Sequence, residues 1–243
     1  MSLLHYMNTK VIFTFSLSLL FLTAMAQNDS LTIVAFGNST TAPRRGVEKV
    51  YSVRVEELLQ RAGFRCKVIN SGVGSSHTGS VKDNDFAKVK HGMERFDSDV
   101  LAHHPDWVII NFGLNDAYQD NGINGVARIP LKQYRKNITH FIRKIKKQSG
   151  RVILLTPNPL GSKYEEFRYL QVKKYAQCIR NIARKEHLIL IDSWQLFYRY
   201  AAFQGWKQNI DTLFSDGIHP NDLGHSLIAT AISEAIYDGC TIP

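Results

Sequence analysis

The sequence predicts an α/β protein, a three-layer α/β/α sandwich built on a five-stranded, mostly parallel sheet. Two observations carry this. Five short apolar runs recur along the chain, each stopped by glycine, proline or a polar turn, and segments with helical spacing of 12 to 20 residues separate them. Parallel neighbours need helical crossovers, and crossovers cover both faces of the sheet.

The elements follow in order. Residues 31–36 (LTIVAF) read as a first strand that ends at Gly37-Asn38-Ser39-Thr40, and residues 50–59 then show helical spacing. A second strand, 67–70, runs into the Gly/Ser-rich stretch 70–80. Residues 97–104 end a helix before Pro105, and 107–112 (WVIINF) form a third, buried strand bounded by Gly113. Residues 134–147 are helical, 151–156 (RVILLT) are a fourth strand stopped by Pro157, 165–184 a long helix and 188–191 the fifth strand. A last helix covers 223–237, after Pro220-Asn221-Asp222 at its start. No linker, low-complexity tract or repeat interrupts this order, which predicts one domain. The loops 122–130 and 162–167 follow the carboxyl ends of strands three and four, where open sheets place their ligand crevice.

Residues 1–26 stand apart from this pattern. Lys10 precedes an apolar run of about 15 residues that ends in Ala24-Met25-Ala26, the order of a signal peptide cleaved after Ala26. The run is shorter than the roughly 20 residues that span hydrocarbon, and no cysteine follows the cleavage point to take a lipid. The expectation is a periplasmic or secreted protein without a stable membrane anchor, in which residues 27–243 form the domain. Cleavage removes one lysine and no acid, so the formal charge of +9 becomes +8.

That positive balance, 30 Lys plus Arg against 21 Asp plus Glu, admits nucleic acid or an anionic surface as a partner. The basic residues form no single block. The densest stretch, 135–147 (RKNITHFIRKIKK), keeps Ile138, Phe141, Ile142 and Ile145 at helical spacing, the pattern of the wet face of an amphipathic helix. No nucleic-acid partner is expected. Three cysteines, Cys66, Cys178 and Cys240, are too few for a disulfide scaffold, although export permits one bridge, and no Cys/His cluster points to zinc.

Candidate chemistry lies where strands end. Ser39 sits at a strand-to-helix turn, a place where serine often only caps the next segment. As a nucleophile it needs a base, because a free hydroxyl is weak at neutral pH. His219 is the candidate base, and Asp216, three residues earlier in a compact Asp-Gly-Ile-His turn, can hold one ring nitrogen while the other faces Ser39. Asn115, after the third strand, offers a side-chain amide to a developing oxyanion, beside backbone N–H groups of Ser39 and of the Gly74-Ser75 loop. Asp116 is expected to organise its loop by hydrogen bonds. His77, Asn121, Asn124, Lys163 and Tyr164 form a polar set near the predicted crevice, with His77, Asn121 and Tyr164 as the substrate-binding candidates.

Together, Gly37-Asn38-Ser39, the stretch 70–76, Gly113-Leu114-Asn115-Asp116 and Asp216-Gly217-Ile218-His219-Pro220 resemble four sequence blocks of the GDSL-type esterases and lipases, the SGNH hydrolase superfamily. The resemblance covers nearly all of residues 27–243 in the expected order. It implies a flavodoxin-like fold, Ser39 as nucleophile, His219 as base, Asp216 as its partner, and an oxyanion hole of Ser39 N–H, a second-block N–H and Asn115, with no cofactor and no metal. Two positions depart from the family pattern. Asn38 stands where aspartate is usual, and the usual oxyanion glycine falls on Ser75, with Gly74 before it as the alternative.

The expected function is therefore hydrolysis of a small-molecule or polysaccharide acyl ester by an exported enzyme, with acetyl on a carbohydrate as the favoured group. A lipase, lysophospholipase or thioesterase of the same superfamily is the second reading, and a noncatalytic glycan-binding protein the third. A mononucleotide-binding α/β domain ranks below these, because no glycine-rich loop matches Walker A or the full dinucleotide pattern.

Overall fold

In the computed structural model, residues 30–206 and 209–241 are described. The strands β1 (Leu31–Gly37), β2 (Cys66–Gly72), β3 (Trp107–Asn111), β4 (Arg151–Leu155) and β5 (Ile189–Ile191) form one sheet in the order β2-β1-β3-β4-β5. All four ladders are parallel, so the sheet is parallel throughout. The order reverses direction at β1, which has β2 on one side and β3 on the other. That is the topological switch point of a doubly wound sheet. In register, Gly37 faces Gly72 on β2 and Asn111 on β3, so the segments that follow these three strands leave the sheet side by side.

The helices are α1 (Tyr51–Arg61), α2 (Gly92–Asp99), α3 (Leu114–Ala117), α4 (Leu131–Lys147), α5 (Glu166–Glu186), α6 (Ser193–Phe203) and α7 (Asp222–Thr241). Alternate residues of the strands point to opposite layers. Ile33, Ala35, Ile109, Ile153 and Leu155 pack with Tyr51, Val55 and Leu59 of α1, Phe197 of α6, and Ile228, Ile232 and Ile236 of α7. Val34, Phe36, Val108, Ile110 and Leu154 pack on the other face with Phe96 of α2, the α4 stripe Ile138, Phe141, Ile142 and Ile145, and Tyr175 and Ile179 of α5. Arg135, Lys136, Arg143, Lys144, Lys146 and Lys147 lie on the exposed side of α4, as the amphipathic spacing requires.

Three local differences from the sequence expectation stand out. The helix expected to reach residue 104 ends at Asp99 and gives way to a short 3₁₀ turn, Leu101–His103, closed by His104 at φ +46° before Pro105. α3 is a single turn, and α6 was not expected. The three cysteines are free thiols; Cys66 and Cys178 are buried and Cys240 is exposed. The signal-peptide reading concerns residues 1–26, which lie outside the described residues. No described helix is long and apolar enough to cross a membrane.

Candidate active site

Ser39 sits on a turn fixed by its neighbours. Asn38 is buried, and its Oδ1 accepts from Thr40 N–H at 2.9 Å and from Thr40 Oγ1 at 2.8 Å. Asn111, at the end of β3, donates through Nδ2 to Thr40 Oγ1 (3.0 Å) and Thr41 Oγ1 (3.3 Å), and its carbonyl accepts from Asn38 N–H. The amide at Asn38 thus performs the acceptor part of the usual aspartate without a buried charge. Gly37 is required here, because a Cβ would come within 2.1 Å of Thr41 Oγ1. Arg95 of α2, almost fully buried, donates to the carbonyls of Gly37 and Ser71 at 2.7 Å each, tying together the ends of β1 and β2.

The turn 214–220 brings the imidazole to the serine. Phe214 and Pro220 form an isolated antiparallel bridge, Ser215 N–H donates to His219 O, and Gly217 takes φ +76°, a conformation that side chains rarely adopt. His219 Nε2 lies 2.9 Å from Ser39 Oγ, and Nδ1 lies 2.7 Å from Asp216 Oδ2. Asp216 Oδ1 accepts from the N–H groups of Ile218 (3.2 Å) and His219 (2.9 Å), so the carboxylate is clamped on its own turn. Asn158, buried before the loop to α5, donates to Ile218 O at 2.9 Å, and Gly161 N–H donates to Gly217 O at 2.6 Å. The structure thus joins Ser39, His219 and Asp216 in one chain of hydrogen bonds. With Nδ1–H directed at the carboxylate, Nε2 is the free base facing the hydroxyl.

The candidate amide donors lie in the segments that follow β2 and β3, the two strands that flank β1. Asn115 Nδ2 donates to Ser76 O at 3.0 Å, joining the segment after β3 to the segment after β2. The N–H groups of Ser39 and of Ser75 have no hydrogen-bond partner among the described residues. Ser75 has φ +60°, whereas Gly74 is not in the left-handed region and a Cβ on it would meet nothing within 4 Å. The residue aligned with the family glycine therefore takes the conformation that glycine favours, at a cost of about 1–2 kcal/mol for a side-chain-bearing residue. Asp116, fully buried, accepts from Thr78 N–H (2.8 Å) and Thr78 Oγ1 (2.5 Å) through Oδ1, and from Gly113 N–H (3.1 Å) through Oδ2. Burial pushes its carboxyl up to about 6, against the lowering effect of these bonds. Its role is to brace the loop.

The substrate-binding candidates divide. Tyr164 is half-buried and lines a narrow cleft of about 20 Å³ with Leu114, Tyr118, Leu160, Arg168 and Ile218, the residue before His219. Lys163 packs beside Gly217 of the His219 turn, and its Nζ lies 5.5 Å from the Tyr164 ring centroid. Asn121 and Asn124 are exposed beyond the Gln119–Ala127 bridge. His77 requires a correction: it is fully buried, its Nδ1 accepts from Gly79 N–H and its Nε2 donates to Asn84 O, so no ring nitrogen is left for a substrate. It stacks on His91 with centroids 3.5 Å apart, and burial drops it to about 4. Sequence reasoning gave no structural role to Arg95, Asn158 or Arg44, because their partners are distant backbone atoms and carboxylates that no local spacing indicates. Among the described residues, no group of three or more His, Cys, Asp or Glu side chains could hold a metal ion.

The profile of the GDSL-like Lipase/Acylhydrolase family matches residues 35–227, most of the chain and all four blocks. The chain belongs to this family. Among proteins similar to this GDSL-like hydrolase, an acetylxylan esterase of Geobacillus stearothermophilus is 22% identical over 177 residues, covering 70% of this chain and 72% of the relative. An arylesterase of Vibrio mimicus is 23% identical over 228 residues, covering 91% and 96%. Of solved structures, Axe2, an acetylxylan esterase from Geobacillus stearothermophilus, superposes with a TM-score of 0.68 at 22% identity, covering 86% of this chain and 95% of that one. The GDSL-like hydrolase is accordingly a carboxylic-ester hydrolase with the SGNH fold.

Proposed function

We propose that this ester hydrolase is exported and removes small acyl groups, chiefly acetyl, from a carbohydrate, with Ser39, His219 and Asp216 as its catalytic triad. The observation that carries the triad is the unbroken path from Ser39 Oγ to His219 Nε2 at 2.9 Å and from His219 Nδ1 to Asp216 Oδ2 at 2.7 Å. In the first half-reaction His219 takes the Ser39 proton as Oγ attacks the ester carbonyl. The carbonyl oxygen becomes an oxyanion held by Ser39 N–H, Ser75 N–H and the second hydrogen of Asn115 Nδ2. Each such donor contributes about 3 kcal/mol of transition-state stabilisation. Protonated His219 then gives its proton to the leaving alcohol, leaving an acyl-serine. In the second half-reaction water attacks that acyl group, its proton passes through His219 to Ser39, and the carboxylic acid departs.

The small-acyl reading is supported by the narrowness of the cleft beside Ile218, where Leu114, Leu160 and Val172 leave little open space for a long chain. The carbohydrate reading draws on the acetylxylan esterase relative. Export rests on the signal-peptide pattern of residues 1–26, and residues 27–243 are proposed as the mature domain. Rates on acetylated xylan, acetylated pectin and 4-nitrophenyl esters of increasing chain length test the substrate. The proposal expects kcat/KM to be highest for acetyl and to fall with chain length. A monotonic rise toward long acyl chains would instead make the enzyme a lipase-type hydrolase.

A further inference from the structure

Asp216 Oδ2 carries two partners. It lies 2.7 Å from His219 Nδ1 and also 3.2 Å from Arg44 Nη2, while Oδ1 is occupied by two backbone N–H groups. Arg44 belongs to the loop after β1, five residues beyond Ser39, so this contact joins the loop of the nucleophile to the turn of the base. The arginine side chain is 24% exposed, and its Nε is buried without a partner among the described residues. A cation held largely out of water, with one guanidinium nitrogen on the Asp216 carboxylate, acts mainly on that carboxylate.

We propose that Arg44 is a positioning residue that fixes Asp216 and, through it, lowers the basicity of His219, so that the base stays unprotonated at lower pH. This rests on the triad assignment. The Asp216 carboxylate stabilises a protonated imidazole, and a guanidinium on the same oxygen withdraws part of that stabilisation. The resting imidazole then binds a proton less readily, while the carboxylate is held in plane for Nδ1–H. Other ionisable groups near Asp216 act less directly. Lys163 packs by its stem against Gly217, and Tyr164 is pushed up by burial first and by the Asp216 charge second. Asp211 is bound to Ser162, and Arg54 and Asp222 pair with each other at the start of α7. Only Arg44 and His219 make side-chain contact with the Asp216 carboxylate among the described residues.

The test is the pH profile of kcat/KM for 4-nitrophenyl acetate, measured on the wild type, Arg44→Gln and Arg44→Lys, with Ser39→Ala as the control. Arg44→Gln should move the acidic limb up by about half to one pH unit, a shift reduced from that of a buried pair because the site is partly solvated. At a pH one unit below the wild-type limb it should then lose several-fold more activity than at the plateau. Arg44→Lys should restore most of the wild-type limb. Arg44→Met, similar in length and uncharged, is the second variant should the glutamine variant fail to fold, and it should show the same shift. A folded Arg44→Gln or Arg44→Met protein with the wild-type limb, even at a lower plateau, overturns the proposal. Wild-type activity that survives in Ser39→Ala overturns the triad assignment instead.

Discussion

The side-chain amide of Asn115 donates to the carbonyl of Ser76 at 3.0 Å, a bond that uses one of its two amide hydrogens. One residue thus ties the segment after β3 to the segment after β2 and retains a second hydrogen for the proposed oxyanion. Asn115→Ala should lower kcat by about 10²–10³-fold with little change in KM, since the lost bond strengthens only as charge develops on the carbonyl oxygen. Steady-state kinetics on an acetyl ester, with a melting curve as a check on folding, decide it. A drop confined to KM would mean that Asn115 binds the ground state.

Asp216→Asn is expected to cost about 10³–10⁴-fold in kcat. The amide can present its N–H to His219, which stabilises the tautomer with the proton on Nε2 and removes the free base from Ser39. It also leaves Arg44 without its carboxylate. The variant should bind a transition-state phosphonate slowly while retaining its fold, and an activity loss below tenfold would show that Asp216 is dispensable for orienting the base.

At Ser75 the strain and the donor can be separated. Ser75→Gly keeps the N–H and relieves the left-handed backbone, so activity should persist and stability should rise by up to about 1 kcal/mol. Ser75→Val, β-branched at φ +60°, should lose stability and activity together. Gly74→Ala should be tolerated in both respects, because its Cβ meets nothing within 4 Å. Loss of activity in Gly74→Ala with Ser75→Gly unaffected would move the oxyanion amide to Gly74.

Acid should destabilise the fold before it exhausts the carboxylates. His77 and His225, both fully buried, are depressed to about 4 chiefly by desolvation. For each, the unfolded state binds more protons between about pH 6.5 and 4, so its contribution to stability is complete above that window and is lost as pH falls through it. Asp116 works in the opposite sense: its carboxyl is raised to about 6, so its protonation in the fold recovers stability on the way from pH 6 to 4. Two histidines outweigh one carboxyl, and the net loss from pH 7 to 4.5 should be about 3 kcal/mol. Denaturant melts at the two pH values measure it, and equal or greater stability at pH 4.5 would contradict the burial of these rings as neutral groups.

The strands and long helices are legible in the sequence because their signals are local. An unbroken apolar run marks a strand with helices on both faces, and the 138, 141, 142, 145 spacing marks the buried stripe of α4 even inside a densely basic segment. The meeting of Ser39, His219 and Asp216 was legible because Ser39 follows a strand and the compact 216–219 turn precedes the last helix. α6 has a readable signal that aromatic density hides: Trp194, Phe197 and Ala201 share one face, and Asp192 caps the helix by accepting from Gln195 N–H. What stayed out of reach depends on pairing across the chain. The Arg44 to Asp216 contact spans 172 positions, and Arg95 finds its acceptors in the ends of two strands. His77 was misplaced for the same reason. Its surroundings in sequence are polar and glycine-rich, yet the ring is enclosed by His91 and the backbone of its own loop.

The proposed reaction depends on Ser39, activated by His219, forming the acyl-enzyme. Hydrolysis of 4-nitrophenyl acetate by the wild type and by Ser39→Ala, both shown to be folded by their melting curves, tests it most directly. Turnover by the variant should fall at least about 10³-fold, to the residual rate left by the oxyanion donors alone. A folded Ser39→Ala protein that kept the parental rate would contradict it.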